Sequence, residues 1–132
     1  MGRTLRLWGP VITAMAVIFF VSSLSEAPLP DGMSDTSGHG LGYASLGFTV
    51  VRAVAGGLPR RITWRIALVA LAICVGYGVS DEWHQSFVPG RTADIADVYA
   101  DAAGACAAAV VCWAWGILAV RSDSRGASRH GL

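Results

Sequence analysis

The chain contains no lysine: its ten basic residues, histidine aside, are all arginines. Charge of either sign is scarce, at 14% of 132 positions against roughly a quarter in soluble domains. Hydrophobic residues make up 54%, more than the core of one small water-soluble domain absorbs. Net charge is only +1 and no basic run is interleaved with aromatics, which excludes an electrostatic footprint for nucleic acid. The three cysteines, Cys74, Cys106 and Cys112, lie in apolar stretches without a CxxC pair. Neither a disulfide framework nor a zinc cluster is indicated, and they read as packing side chains. The apolar runs lack the period-two alternation of a membrane β-barrel. In lipid, where exposed backbone groups find no water, that leaves helices.

What is present is four apolar segments, Leu7 to Leu24, Gly38 to Leu58, Ile62 to Ser80 and Asp97 to Val120, joined by short linkers. Each approaches the roughly 20 residues that cross a hydrocarbon core of about 30 Å. The expectation is an all-α integral membrane four-helix bundle over residues 1–120, with a polar, disordered cytoplasmic tail over 121–132. The first segment, preceded by Arg3 and Arg6 and followed by Ser25-Glu26-Ala27, also has the outline of a secretory signal. Pro28 argues against cleavage, and a retained helix is expected.

Arginines orient the bundle. Arg3 and Arg6 precede the first segment, Arg60, Arg61 and Arg65 flank the second connection, and Arg121, Arg125 and Arg129 follow the fourth segment. By the positive-inside rule these places, and both termini, are cytoplasmic faces of a multi-pass plasma-membrane protein. The alternate connections hold Glu26, Asp31 and Asp35, then Asp81, Glu82, Asp94 and Asp97, with Arg91 as their single arginine. Arg52 is expected to snorkel toward the headgroups. Small residues four apart, Gly38 and Gly42, Ala72 and Gly76, Ala100 and Gly104, suggest close helix contacts.

The stretch Ser80 to Gly104 concentrates the polar groups. Pro89-Gly90 signals a turn, which predicts an extracytoplasmic hairpin between helices three and four, with Thr92 as N-cap and Asp94 in the first turn. Asp94, Asp97 and Asp101 recur at i, i+3 and i+7, one stripe of one helix. Asp101 is the deepest. A charged Asp at a helix centre costs about 2.5 to 3.5 kcal/mol, so it should find a donor or hold a proton. Arg91 is expected to contact a carboxylate. Glu82 and Gln85 share a face if helix three continues past Ser80, and Asp35, His39 and Tyr43 align if helix two begins by Asp35. Glu82, His39 and Gln85 are the candidate catalytic groups, with a carboxylate fixing the His39 tautomer. Arg91, Asp35, Asp94, Asp97 and Asp101 are the candidate ligand-binding groups. Asp81, Trp83 and His84 read as structural, and the five tryptophans as interfacial anchors. Ligand types alone would allow a metal among His39, His84 and carboxylates. No HExxH or similar spacing supports one, and no metal or cofactor is expected.

Glu82-Trp83-His84-Gln85, Phe87-Val88-Pro89-Gly90-Arg91, Asp94, Asp97 and Gly104, with Ser22-Ser23 and the set Asp35, His39 and Tyr43, resemble the VanZ-like family. These are small membrane proteins named after one that confers teicoplanin resistance. The resemblance spans nearly the whole chain as far as helix four. It implies a four-helix membrane domain and a part in glycopeptide tolerance or envelope maintenance. One departure stands out: the family commonly has Asn where this chain has Asp101. Three functions remain open. An outward polar pocket binds a membrane lipid, a lipid-linked wall precursor or a lipoglycopeptide. A membrane enzyme uses Glu82 or His39 as base, though no obvious nucleophile is present. A proton-coupled carrier works as an oligomer through Asp97 and Asp101, though no inverted repeat or broken helix is visible.

Overall fold

The computed structural model describes residues 1–59 and 61–129, with side chains as far as Ala119. Four helices follow one another, α1 (Gly2–Ser22), α2 (Asp35–Val54), α3 (Trp64–Gln85) and α4 (Ile95–Arg129), with no strand among the described residues. The all-α expectation holds. Arg60 and the side chains of Arg121, Arg125 and Arg129 lie outside the described residues. Of the expected 121–132 tail, residues 130–132 lie outside the described residues, whereas over 121–129 the backbone continues α4 as far as Arg129.

Short polar residues start α2, α3 and α4, because a side-chain oxygen satisfies an amide that has no carbonyl partner in the first turn. Ser34 caps α2 by accepting from the Ser37 amide, and Thr63 caps α3 by accepting from Ile66. On α4 the cap is Asp94, whose carboxylate accepts from the Ala96 amide at 2.8 Å. Thr92, expected in that role, lies before the helix. Asp and Thr are both N-cap residues, Asp the stronger, and the backbone path selects Asp94.

Three helices are long and apolar enough to cross a membrane: Gly2–Ser22, Trp64–Gln85 and the Ile95–Ala119 part of α4. The fourth expected span, α2, is less apolar, carrying His39, Tyr43, Ser45 and Thr49 among its glycines. Its position explains this. It packs against α1, α3 and α4, most extensively α4, so few of its residues would meet lipid. Leu46, Val50 and Val51 on α2 are wholly buried, together with Cys74 on α3 and Cys112 on α4. Large apolar residues point outward instead, among them Phe20, Leu68, Val79 and Leu118, with Trp64 and Trp83 exposed near helix ends. That inversion suits a lipid surrounding.

Glycine sets how closely α2 and α4 approach. A Cβ at Gly104 would overlap the Gly40 carbonyl oxygen and come within 2.9 Å of the Ala44 amide nitrogen, and one at Gly47 would stand 2.8 Å from the Ala105 Cα. The expected Gly104 contact is therefore real. Ala72 and Gly76 are exposed, and a Cβ at Gly76 meets nothing within 4 Å. That expected contact is not made within the chain.

Helix α1 closes on the same polar end: Ser22 at its last turn donates to Asp81 of α3 at 2.8 Å. At the other end Arg52 donates to the Arg6 carbonyl at 3.0 Å, which holds the α2 terminus against the start of α1. Between α3 and α4 the chain reverses at Val88-Pro89-Gly90-Arg91. Arg91 N–H donates to the Val88 carbonyl at 3.1 Å, and Gly90 has φ of 85°. Proline followed by a positive-φ glycine is the composition of a type II turn. Replacing Gly90 with Ala is expected to cost about 1 to 2 kcal/mol, because a Cβ is disfavoured in that conformation. Chemical unfolding in detergent measures it, and an unchanged midpoint refutes the turn assignment.

Candidate functional site

The polar end holds a connected set of side chains contributed by every helix and by the α3–α4 turn. Because α2 begins at Asp35, Asp35, His39 and Tyr43 do lie on successive turns of one face. Because α3 runs on to Gln85, Asp81, Glu82 and Gln85 share a face and are all buried. On α4, Asp97 is 4% exposed and Asp101 0%.

His39 sits at the centre. Its Nδ1 lies 3.1 Å from Asp101 Oδ1; in the neutral tautomer with the proton on Nδ1 the ring donates to that carboxylate, and Nε2 carries the lone pair. Nε2 faces the Gln85 amide nitrogen at 3.3 Å and Glu82 Oε1 at 3.8 Å. Tyr43 stacks with the ring at a centroid separation of 6.4 Å. The i, i+4 spacing makes Asp35 the expected carboxylate to fix the imidazole tautomer; the carboxylate at the ring nitrogen is instead Asp101, supplied from α4.

Gln85 joins the remaining groups. Its Nε2 faces three acceptors: His39, Asp81 Oδ2 at 3.3 Å and Glu82 Oε1 at 3.2 Å. An amide nitrogen has two hydrogens, so these contacts are shared and correspondingly long. Its Oε1 accepts from Arg91 Nε at 3.0 Å and Nη2 at 2.6 Å. Arg91 Nη1 bridges both oxygens of Asp35, at 3.2 and 3.1 Å. The expected arginine–carboxylate contact exists. It runs to α2, not to the α4 acids, because the turn directs the guanidinium across the bundle mouth.

Asp94, expected to bind a ligand, is exposed and caps α4, and its own amide donates to Glu82 Oε2 at 2.9 Å. Glu82 thereby ties the start of α4 to the end of α3. His84 is separate from the cluster, sharing a 3.0 Å hydrogen bond with Ser23 and stacking on Phe19 at 4.4 Å. Trp83 is exposed and packs edge-on with Phe87. Sequence reasoning missed Asp81 and Ser22, which belong to the site. The i, i+4 relation of Asp81 to Gln85 was available as a signal.

A cavity of about 200 Å³ opens between α1 and α2 at this end. Its walls are apolar, from Val17, Ile18, Val21, Ala27 and Leu29, whereas Ser22, Asp35, His39, Tyr43, Asp81 and Arg91 form its polar end. Five carboxyl groups (Asp35, Asp81, Glu82, Asp97 and Asp101) belong to this set, against Arg91 and His39 as the basic partners bonded within it. Charge is therefore unbalanced if all five ionise.

Asp101→Asn is expected to fold with stability within about 1 kcal/mol of the parent, since its amide oxygen still accepts from His39 and keeps one hydrogen bond of ordinary strength. The buried Asp101 Oδ2, beside Gly78 and without a partner, is the atom that changes to a donor. Thermal unfolding in detergent checks this, and a large loss would show that the ionised acid is needed.

No curated protein and no solved structure matches the chain. The family model described as VanZ/LLP1, however, matches residues 7–118, from the second turn of α1 almost to the end of the described side chains. That span takes in every helix and every residue of the polar cluster, and the chain is a membrane protein belonging to the VanZ-like family.

Proposed function

We propose that the chain is a multi-pass plasma-membrane protein with both termini cytoplasmic, whose polar end faces outward and binds an envelope amphiphile. Membrane lipids, a lipid-linked wall precursor and a lipoglycopeptide share the required chemistry, and binding would contribute to glycopeptide tolerance or envelope maintenance. The observation that carries this reading is the two-sided cavity, with apolar Val17, Ile18 and Leu29 along one flank and Arg91, Asp35 and His39 at its end. An acyl chain has a dry wall there and a headgroup has donors. The arginines at the start of α1 and in the α2–α3 connection support the orientation.

The test is a binding screen of purified protein in nanodiscs against those three ligand classes, with Ile18→Trp to fill the cavity. Binding by at least one class, lost in Ile18→Trp while the helical signal is retained, is the expected result. Indifference of every bound ligand to Ile18→Trp removes the reading. A second reading, a membrane enzyme acting on a lipid-linked substrate, is favoured by one observation: His39 stands between Asp101 and Glu82, as a general base would. Glu82→Gln separates the two. A tolerance phenotype that persists in this variant supports binding, whereas its loss with accumulation of an uncleaved lipid precursor supports catalysis.

A further inference from the structure

Asp35 and His39 stand one turn apart on α2, and Asp97 reaches the same point from α4. One ligand-type atom from each lies within 4.8 Å of the others. Asp97 is the informative member. It is 4% exposed, and its Oδ1 is buried with no hydrogen-bond partner among the described residues. Leaving such an oxygen unpaired costs about 1 to 3 kcal/mol, more when it is charged. Arg91 is committed to Gln85 and Asp35, and no donor among the described residues reaches that oxygen.

We propose that Asp35, His39 and Asp97 bind a divalent transition-metal cation, Zn²⁺ or Mn²⁺, at the end of the cavity. One imidazole nitrogen and two carboxylate oxygens form a borderline donor set suited to these ions. With the Nδ1 proton held by Asp101, Nε2 carries the lone pair that a metal takes, in place of the Gln85 amide that faces it at 3.3 Å. A carboxylate behind a ligating histidine is the usual supporting arrangement. Asp35 bonds Arg91 and keeps further lone pairs on both oxygens. Ligands bound at about 2.1 Å stand roughly 3 to 3.4 Å apart, so the three must draw together by about 1 Å. Asp35, with a side chain 43% exposed, has the freedom to move.

Two positive charges also answer the excess of carboxyl groups. Asp35 and His39 line the cavity, so the coordination positions left over open onto it, and an anionic headgroup could complete them. The cation site stands whether or not an amphiphile fills the cavity. The expectation of no metal rested on the missing HExxH spacing. Asp35 and His39 have the same four-residue interval, and the third ligand comes from another helix.

The test is isothermal titration of Zn²⁺ and of Mn²⁺ into the purified full chain in detergent, free of any histidine tag and carrying Cys106→Ser to remove the exposed thiol. Saturable one-to-one binding of either ion is expected. Asp97→Asn and His39→Gln should each weaken it by more than about tenfold, the loss that an outer supporting partner alone can cost. Asp94→Asn, at the exposed cap, should leave it unchanged. X-ray absorption of the zinc-loaded chain should show one imidazole nitrogen, with oxygens completing the shell. That measurement stands even if a variant fails to fold. Absence of binding, binding that survives either ligand substitution, or a shell containing sulfur or lacking imidazole overturns the proposal.

Discussion

Gly104→Ala is expected to destabilise the bundle by about 3 kcal/mol, at the upper end of what one added methyl costs in a packed core. The methyl would overlap the Gly40 carbonyl oxygen and press on the Ala44 amide nitrogen. Both obstacles are backbone atoms inside a helix, so no side-chain rotation relieves them and α2 and α4 must separate. Separation also reaches the site. His39 precedes Gly40, and Asp101 lies three residues before Gly104, so the 3.1 Å hydrogen bond between them lengthens as the helices part. Gly76→Ala is the control, since its methyl meets nothing within 4 Å and alanine is the better helix former. Denaturant unfolding in detergent should show a large drop for the first variant, and no loss for the second. Equal midpoints would mean that α2 and α4 do not approach as described.

Gln85→Leu is expected to cost about 3 to 5 kcal/mol, the range for breaking a buried charged network by removing one partner. Leucine has similar volume, so packing changes little and the loss is polar. Arg91 would lose two of its hydrogen bonds and keep only Asp35, while Asp81, Glu82 and His39 would lose the amide that lies among them. Gln85→Glu distinguishes the two halves of this role. It preserves the acceptor for Arg91 but sets another carboxylate beside Asp81 and Glu82, and it should fall between leucine and the parent. Unfolding midpoints of the three proteins measure this order. A leucine variant as stable as the parent would show that the network is not a source of stability.

Particular residues show why some of this was legible beforehand. Asp35, His39 and Tyr43 could be aligned because helical periodicity is a local property, valid once α2 starts by Asp35. The sharing of a face by Glu82 and Gln85 followed in the same way from the length of α3. Asp94 was harder. Its stripe with Asp97 and Asp101 treats it as a member of the helix, whereas its backbone lies just outside α4 and its carboxylate is used by the Ala96 amide. Asp81 was assigned a structural role because acids near a connection are usually solvated. Burial beneath Ser22 of α1 is a tertiary event, and the i, i+4 relation to Gln85 was its one local sign. Arg91 was expected to find an acid, and only the direction of the type II turn selects Asp35.

By itself, the sequence determined that the chain is helical and membrane-bound, and that polar groups collect at one end and arginines at the other. These follow from apolar length, the need to satisfy backbone in lipid, and charge placement, none of which requires a partner helix. Only the tertiary structure decided which polar groups meet. His39 with Asp101, Arg91 with Asp35, and Asp97 with Asp35 and His39 are pairings between segments separated by long stretches of chain. Their distances depend on how closely α2 approaches α4. That approach is set where Gly104 crosses Gly40, through the absence of a side chain at Gly104.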